Sequence, residues 1–270
     1  MAVDLFLPEL EGSQKLTVNI YSHGFKGFKD WGFVPHLHEF FVSEDCAFIT
    51  YNYTHNGVRM LDFDELYKFA ENTITQEIRD MESLAFWIAN EGSELYNLHP
   101  EKLNWIGHSR GGANTIIFAD LFPQYCQKIV TWSAINNYSS LFVNLDKEIW
   151  KTSNTLFIKN SRTNQEMPLN YSIWEDYINN ETKYNLELAA SRLTVPWLIV
   201  HGKLDEVVPF EHALSLYNAC NHSVLITVDE ANHTFGNKHP MLNLGLAPEY
   251  FWIMMDNTRD FLDEEIEELS

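Results

Sequence analysis

Apolar residues along this chain fall into two alternating patterns. Short apolar runs at 16–21, 47–53, 103–106, 128–132, 195–201 and 223–229 read as buried strands. Longer stretches with helical spacing stand between them. Ile78, Met81, Leu84, Ala85 and Ile88 line one face of a helix over 75–90, and 113–119 reads as a packed helix directly after the strand 103–106. A last helix is expected from about Pro248 to Glu265. Strands alternating with helices predict an α/β fold with a mostly parallel central sheet flanked by helices.

The alternation breaks between Ser133 and Leu193, where Asn, Tyr, Trp and Thr are frequent and apolar pieces are short. An irregular stretch of about sixty residues is uncommon inside a compact domain and tends to form a lid or insertion. The expectation is one domain over 1–270 with a small cap at about 134–193, placed over the site. Its aromatics Tyr138, Phe142, Trp150, Trp174 and Tyr177 would line an acyl pocket or form the cap's own core. No internal repeat or low-complexity linker is visible.

The junction between strand 103–106 and the following helix reads Gly107-His108-Ser109-Arg110-Gly111-Gly112. Strand, Gly-x-Ser-x-Gly, helix is the setting of a nucleophile elbow: a sharp turn lifts the serine hydroxyl clear of the sheet edge, and flanking glycines avoid collisions that a Cβ would cause. Ser109 is the candidate nucleophile. It needs a base, and the base needs a carboxylate to orient it. His201-Gly202-Lys203-Leu204-Asp205 ends an apolar strand and puts Asp205 at the carboxyl edge of the sheet. His233 follows 28 residues later in Glu230-Ala231-Asn232-His233-Thr234-Phe235, a spacing that fits one helix and one strand and returns the chain to the same edge. His233 is the candidate base and Asp205 its partner, with Asp229 the alternative carboxylate.

Acyl transfer also needs two preorganised N–H donors for the developing oxyanion. The backbone N–H of Arg110 is one candidate. The second is that of Phe25, in the loop His23-Gly24-Phe25-Lys26-Gly27-Phe28-Lys29-Asp30-Trp31. The side chains of Arg110 and Lys26 would either bind an anionic substrate group or pair with local carboxylates. His108 reads as a packing or hydrogen-bonding residue, and His99 and His222 as surface residues. His36 and His38 would point about 200° apart on a helix, so no metal site is expected.

Composition narrows the classes of partner. Basic residues number 18 against 38 acidic, a net charge of −20, which argues against nucleic acid and anionic membrane surfaces. Part of the acidity lies in 260–268, expected to be a solvated helix end. Hydrophobic residues at 45% support a large core. Cys46, Cys126 and Cys220 show no metal or redox spacing, and no leader or bilayer-spanning run is apparent. A cytoplasmic protein acting on a small molecule without a cofactor is the expectation, with no oligomeric state implied.

On His23-Gly24-Phe25, Gly107–Gly112, His201–Asp205 and Asn232-His233, in that order, the chain resembles α/β-hydrolases of the esterase and dienelactone-hydrolase-like kind. The run His-Gly-Phe followed by Lys-Gly-Phe-Lys-Asp-Trp resembles the oxyanion loop of bacterial acyl esterases, cinnamoyl-esterase-like enzymes among them. The resemblance implies a serine carboxylesterase that cleaves a carboxylic ester through an acyl-enzyme. A peptidase or thioesterase on the same triad, or a non-catalytic ligand-binding homologue, is the alternative. Serine replaces the cysteine of dienelactone hydrolases and the aspartate of haloalkane dehalogenases, so neither of those activities is implied. With residue 23 already in the oxyanion loop, at most two strands precede it, and an eight-stranded sheet would lack its first edge strand.

Overall fold

The computed structural model describes residues 1–9, 14–160 and 163–264. In chain order its elements are β1 (Ala2–Phe6), β2 (Leu16–Ser22), α1 (His38–Phe41), β3 (Cys46–Asn52), α2 (Leu66–Glu71), α3 (Ile74–Trp87), α4 (Ser93–Tyr96), β4 (Leu98–His108) and α5 (Arg110–Leu121). Then come β5 (Lys128–Trp132), α6 (Lys147–Ser153), β6 (Thr155–Asn160), β7 (Gln165–Asn170), α7 (Ser172–Asn179), α8 (Leu186–Arg192), β8 (Trp197–Gly202), α9 (Glu211–Ala219), β9 (Ser223–Val228) and α10 (Glu249–Asp263).

Seven strands form one sheet in the order β1-β3-β2-β4-β5-β8-β9. Every pairing is parallel except β1 with β3. Alternation along each strand divides the core between the two faces. Val18, Ile20, Trp105, Ile129, Trp197 and Ile199 pack under α3, α5, α8 and α9, whereas Tyr21, Ile106, Trp132, Leu198 and Val200 pack toward α1 and α10. Because β2, β4, β8 and β9 run parallel, their carboxyl ends deliver the loop after Ser22, Ser109, Asp205 and the loop of His233 to one edge.

The differences from the sequence reading are local. β1 is an additional edge strand, and β4 starts five residues earlier than its apolar stretch. α3 opens on Thr73, whose hydroxyl accepts the Gln76 N–H at 3.1 Å, and closes into one π turn at Ile88–Gly92. The last helix stops at Asp263. There Lys128 Nζ donates to the carbonyls of Phe261 (2.7 Å), Leu262 (3.0 Å) and Glu264, which satisfies orphan helix-end acceptors. The acidic stretch past 264 lies outside the described residues.

The 134–193 stretch is more ordered than its composition suggests. β6 and β7 pair as an antiparallel hairpin, and Trp150 Nε1 donates to Leu169 O at 2.8 Å to tie α6 to it. Phe142, Trp150, Met167, Leu169 and Ile173 are buried together, while α8 packs with α5 and α9 on the other face of the sheet. Among the described residues, no helix is long and apolar enough to cross a membrane.

Candidate active site

Ser109 sits at φ 57°, ψ −121°, outside the regions comfortable for an L-residue, between the end of β4 and the start of α5. Its strain is held from both sides. Its N–H donates to Trp132 O at 2.8 Å, and the N–H groups of Gly112 and Ala113 donate back to Ser109 O. The glycines permit the crossing: a Cβ on Gly111 would collide with the carbonyl of Ser22, so α5 approaches β2 backbone to backbone.

His233 and Asp205 complete a chain of contacts. His233 Nδ1 lies 2.8 Å from Asp205 Oδ2, and its Nε2 lies 3.1 Å from Ser109 Oγ. An ionised carboxylate only accepts, so Nδ1 carries the hydrogen and the Nε2 lone pair faces the hydroxyl. Asp205 Oδ1 accepts the N–H groups of Val207 (2.9 Å) and Val208 (2.8 Å). Burial pushes the Asp205 carboxyl up, but bonds from His201, His233 and the Val208 N–H outweigh it and hold the group well below the usual carboxylate range. An ionised Asp205 accepts from the imidazole and fixes its orientation. The alternative carboxylate, Asp229, instead reaches Lys203 at 2.7 Å on the surface.

The loop after β2 lies against the elbow. A Cβ on Gly24 would stand 2.9 Å from Ser109 Cβ and 3.0 Å from His108 O, so only glycine allows the Phe25 backbone this close. Phe25 and Ser109 line the same small cleft with Tyr21, Phe28, Trp31 and His233. Arg110 opens α5, where the first N–H groups have no intrahelical acceptor. His23, at the start of the loop, is buried; its Nδ1–H donates to Gly24 O at 3.0 Å and its Nε2 accepts from Asn56 at 3.5 Å. Burial pushes His23 down to about 3, so the ring is neutral.

The Arg110 side chain turns away from the cleft and pairs with Glu77, both fully buried. Glu77 also accepts from Asn72 (2.8 Å) and Asn114 (2.7 Å), and burial raises its carboxyl against the pull of Arg110. The guanidinium lies 4.6 Å over the Phe25 ring, which stacks on Phe69 at 5.6 Å. Of the two uses considered for Arg110, pairing with a local carboxylate is the one seen. Lys26 Nζ reaches Lys159 O at 3.4 Å and joins the loop to the β6–β7 hairpin. Among the described residues, the cleft takes no lining residue from 134–193; Tyr138, Phe142, Trp150, Trp174 and Tyr177 pack among themselves and against the two cores.

The parts that Glu77 and His201 play in this network were not assigned from the sequence, though both carried a signal. Glu77 interrupts the apolar spacing Ile74, Ile78, Met81 on the buried face of α3. His201 ends a strand that is otherwise apolar, and its Nε2 donates to Val208 O at 2.8 Å while lying 3.4 Å from Asp205 Oδ2. His36 reaches Glu39 and Met241 O, and His38 reaches Pro35 O and stacks on Phe6.

The prolyl oligopeptidase family (peptidase S9) matches residues 36–254. No curated protein matches the chain. Its fold is shared with solved structures of low identity. Est1E from Butyrivibrio proteoclasticus, solved with ferulic acid bound, is 17% identical, with 97% of this chain and 93% of that one covered at a TM-score of 0.67. A putative hydrolase from Agrobacterium vitis S4 is 16% identical over 97% and 92% at 0.73. A monoacylglycerol lipase from Paleococcus ferrophilus is 14% identical over 97% of each chain at 0.67.

Proposed function

The chain belongs to the prolyl oligopeptidase family, within the α/β-hydrolases, and on that footing we propose that it hydrolyses carboxylic esters through an acyl-enzyme. The observation that carries the reading is the unbroken contact series from Asp205 Oδ2 through His233 to Ser109 Oγ, at 2.8 and 3.1 Å, beside the Phe25 loop. His233 Nε2 takes the Ser109 proton as Oγ attacks the ester carbonyl. The Phe25 and Arg110 N–H groups hold the oxyanion. The leaving oxygen then takes the proton from His233, and the alcohol departs. Water repeats the sequence on the acyl-enzyme, giving its proton to His233, and Ser109 recovers its own as the acid leaves. The 134–193 stretch acts as a cap that abuts the Phe25 loop through Lys26 rather than lining the cleft, and the whole is one domain.

The family's peptidase description favours a second reading, an amide substrate on the same residues. Hydrolysis of p-nitrophenyl acetate beside a prolyl p-nitroanilide peptide, wild type against Ser109→Ala, separates them. Ester turnover that falls about 10³-fold or more in the variant supports the esterase. Anilide turnover alone makes the chain a peptidase, and turnover unchanged in the variant removes Ser109 as the nucleophile.

A further inference from the structure

Arg110 is joined to both of the proposed oxyanion donors. Its backbone opens α5 beside Ser109, and its guanidinium lies 4.6 Å over the ring of Phe25, the residue of the second N–H. The position is unfavourable for a cation. The first turn of a helix carries a partial positive charge, and the guanidinium is buried together with its partner, Glu77. Arg110 Nε finds no hydrogen-bond acceptor among the described residues, which adds to the cost. Taking two charges out of water offsets most of their attraction, so such a pair adds little stability over apolar side chains of similar size.

What the pair does supply is a fixed point. The Glu77 carboxylate also accepts from Asn72 (2.8 Å) and Asn114 (2.7 Å), and Asn114 Oδ1 accepts from Tyr138 OH at 2.8 Å. Through Glu77 the guanidinium is tied to α3, to the end of α2 and back to α5, one turn beyond Arg110 itself. The Phe25 loop needs such a point. On one side of Phe25 its backbone is held, because the Gly27 N–H and the His23 Nδ1–H both donate to Gly24 O at 3.0 Å. On the other side Lys26 sits at φ 57°, a left-handed conformation that a lysine keeps only when its surroundings hold it. The Phe25 ring, in contact with Arg110 and with Phe69 of α2, is the handle there.

Resting on the serine-esterase reading above, we propose that Glu77 and the Arg110 side chain are positioning residues: they hold the Phe25 ring and thereby set the spacing of the Phe25 and Arg110 N–H groups that receive the oxyanion. Neither side chain lines the cleft. The pair acts through Phe25, on the geometry of the transition state rather than on substrate binding.

The test compares the wild type with two variants that keep both peptide N–H groups. Phe25→Leu removes the ring and leaves the Glu77–Arg110 pair intact. Arg110→Met with Glu77→Gln removes both charges together, so neither is left buried alone. Three quantities are read on each: kcat and KM on p-nitrophenyl acetate, the urea midpoint, and the Ki of butylboronic acid. The boronate forms a tetrahedral adduct with a serine and sets an oxygen among the oxyanion donors. A fluorophosphonate probe reports separately whether Ser109 is nucleophilic.

The expected result is a kcat about 10–100-fold lower in both variants with KM changed less, and a boronate Ki raised by a similar factor. In the double variant these losses persist although its urea midpoint stays near that of the wild type. Phe25→Leu with kcat and Ki near the wild-type values overturns the inference and leaves the serine-hydrolase reading standing. So does a double variant that keeps wild-type kcat along with its stability, which would make the pair structural. If the double variant does not fold, Phe25→Leu decides alone, since its side chain is partly exposed and its loss leaves the buried charges paired. Unlabelled Ser109 in the wild type with no ester turnover overturns both readings.

Discussion

The imidazole of His108 holds the backbone of His233. Its Nε2 donates to the His233 carbonyl at 2.8 Å, and the two rings lie 4.8 Å apart. The residue preceding Ser109 thereby clamps the loop that carries His233, so the Ser109–His233 distance is set from both ends. On the other side of the loop, Asn232 Oδ1 accepts the N–H groups of Thr234 (3.2 Å) and Gly236 (2.8 Å) and shapes its turn. His108→Leu removes the clamp but keeps the bulk. We expect kcat on a p-nitrophenyl ester to fall about 10–100-fold with KM changed less, because a displacement of about 1 Å at the base acts on the transition state. His108→Gln, which keeps a donor, should recover most of the loss; if it recovers none, the hydrogen bond is not the cause.

Gly24 separates the Phe25 loop from the elbow by less than a methyl group allows. Its added Cβ would meet backbone of the elbow at His108 O as well as Ser109 Cβ, and neither is free to give way. Gly24→Val should therefore move the Phe25 N–H out of range and lower kcat by about 10²–10³, the scale of losing one oxyanion donor. The melting temperature is expected to change little, since the loop can lift outward from the cleft. A large loss of stability in this variant would make the glycine structural and detach Phe25 from the oxyanion assignment.

The convergence of Ser109, His233 and Asp205 was legible in the sequence, because each is marked by local chemistry. Ser109, Asp205 and His233 each follow an apolar strand, and a parallel sheet brings such ends to one edge. The β6–β7 hairpin was not readable. Its strands Thr155–Asn160 and Gln165–Asn170 alternate weakly, include Pro168, and gain their core only by packing Met167 and Leu169 against Phe142 and Trp150. β1 escaped for a different reason: it is five residues long, Ala2–Phe6, too short for its apolar residues to show an alternation, and as an edge strand it is half exposed. The Glu77–Arg110 pair joins residues 33 apart in sequence, and only tertiary packing of α3 on α5 brings them together.

That buried pair yields a stability prediction in which a second substitution offsets the first. Arg110→Met strands Glu77 among Asn72 and Asn114 in a site from which water is excluded, and should cost about 3–5 kcal/mol. Adding Glu77→Gln removes the stranded charge while keeping an amide oxygen to accept from one of the two asparagines, so the double variant should recover a large part of the loss. Urea unfolding of the two variants at neutral pH measures the difference. A double variant no more stable than the single one would show that packing of Arg110 on Phe25, rather than charge, carries the effect.

His23 makes stability depend on mild acid. Its pKa falls from about 6.5 in the unfolded chain to about 3 in the folded one, chiefly because the ring is buried. Between those values the unfolded chain binds a proton that the folded chain refuses, so the stabilisation is fully present above about 6.5 and is lost as pH falls toward 3. The depressed Asp205 adds its own loss only below the usual carboxylate range, outside the upper part of this window. We expect unfolding free energy to drop by roughly 1.4 kcal/mol per pH unit between pH 6 and 4 from this residue. His23→Gln keeps a donor for Gly24 O and cannot titrate. It should be less stable than wild type at pH 7.5, with the gap narrowing at that rate as the solution is acidified. Urea midpoints for both proteins from pH 7.5 to 4.5 decide the matter: a constant gap across the range would assign the acid sensitivity to other groups.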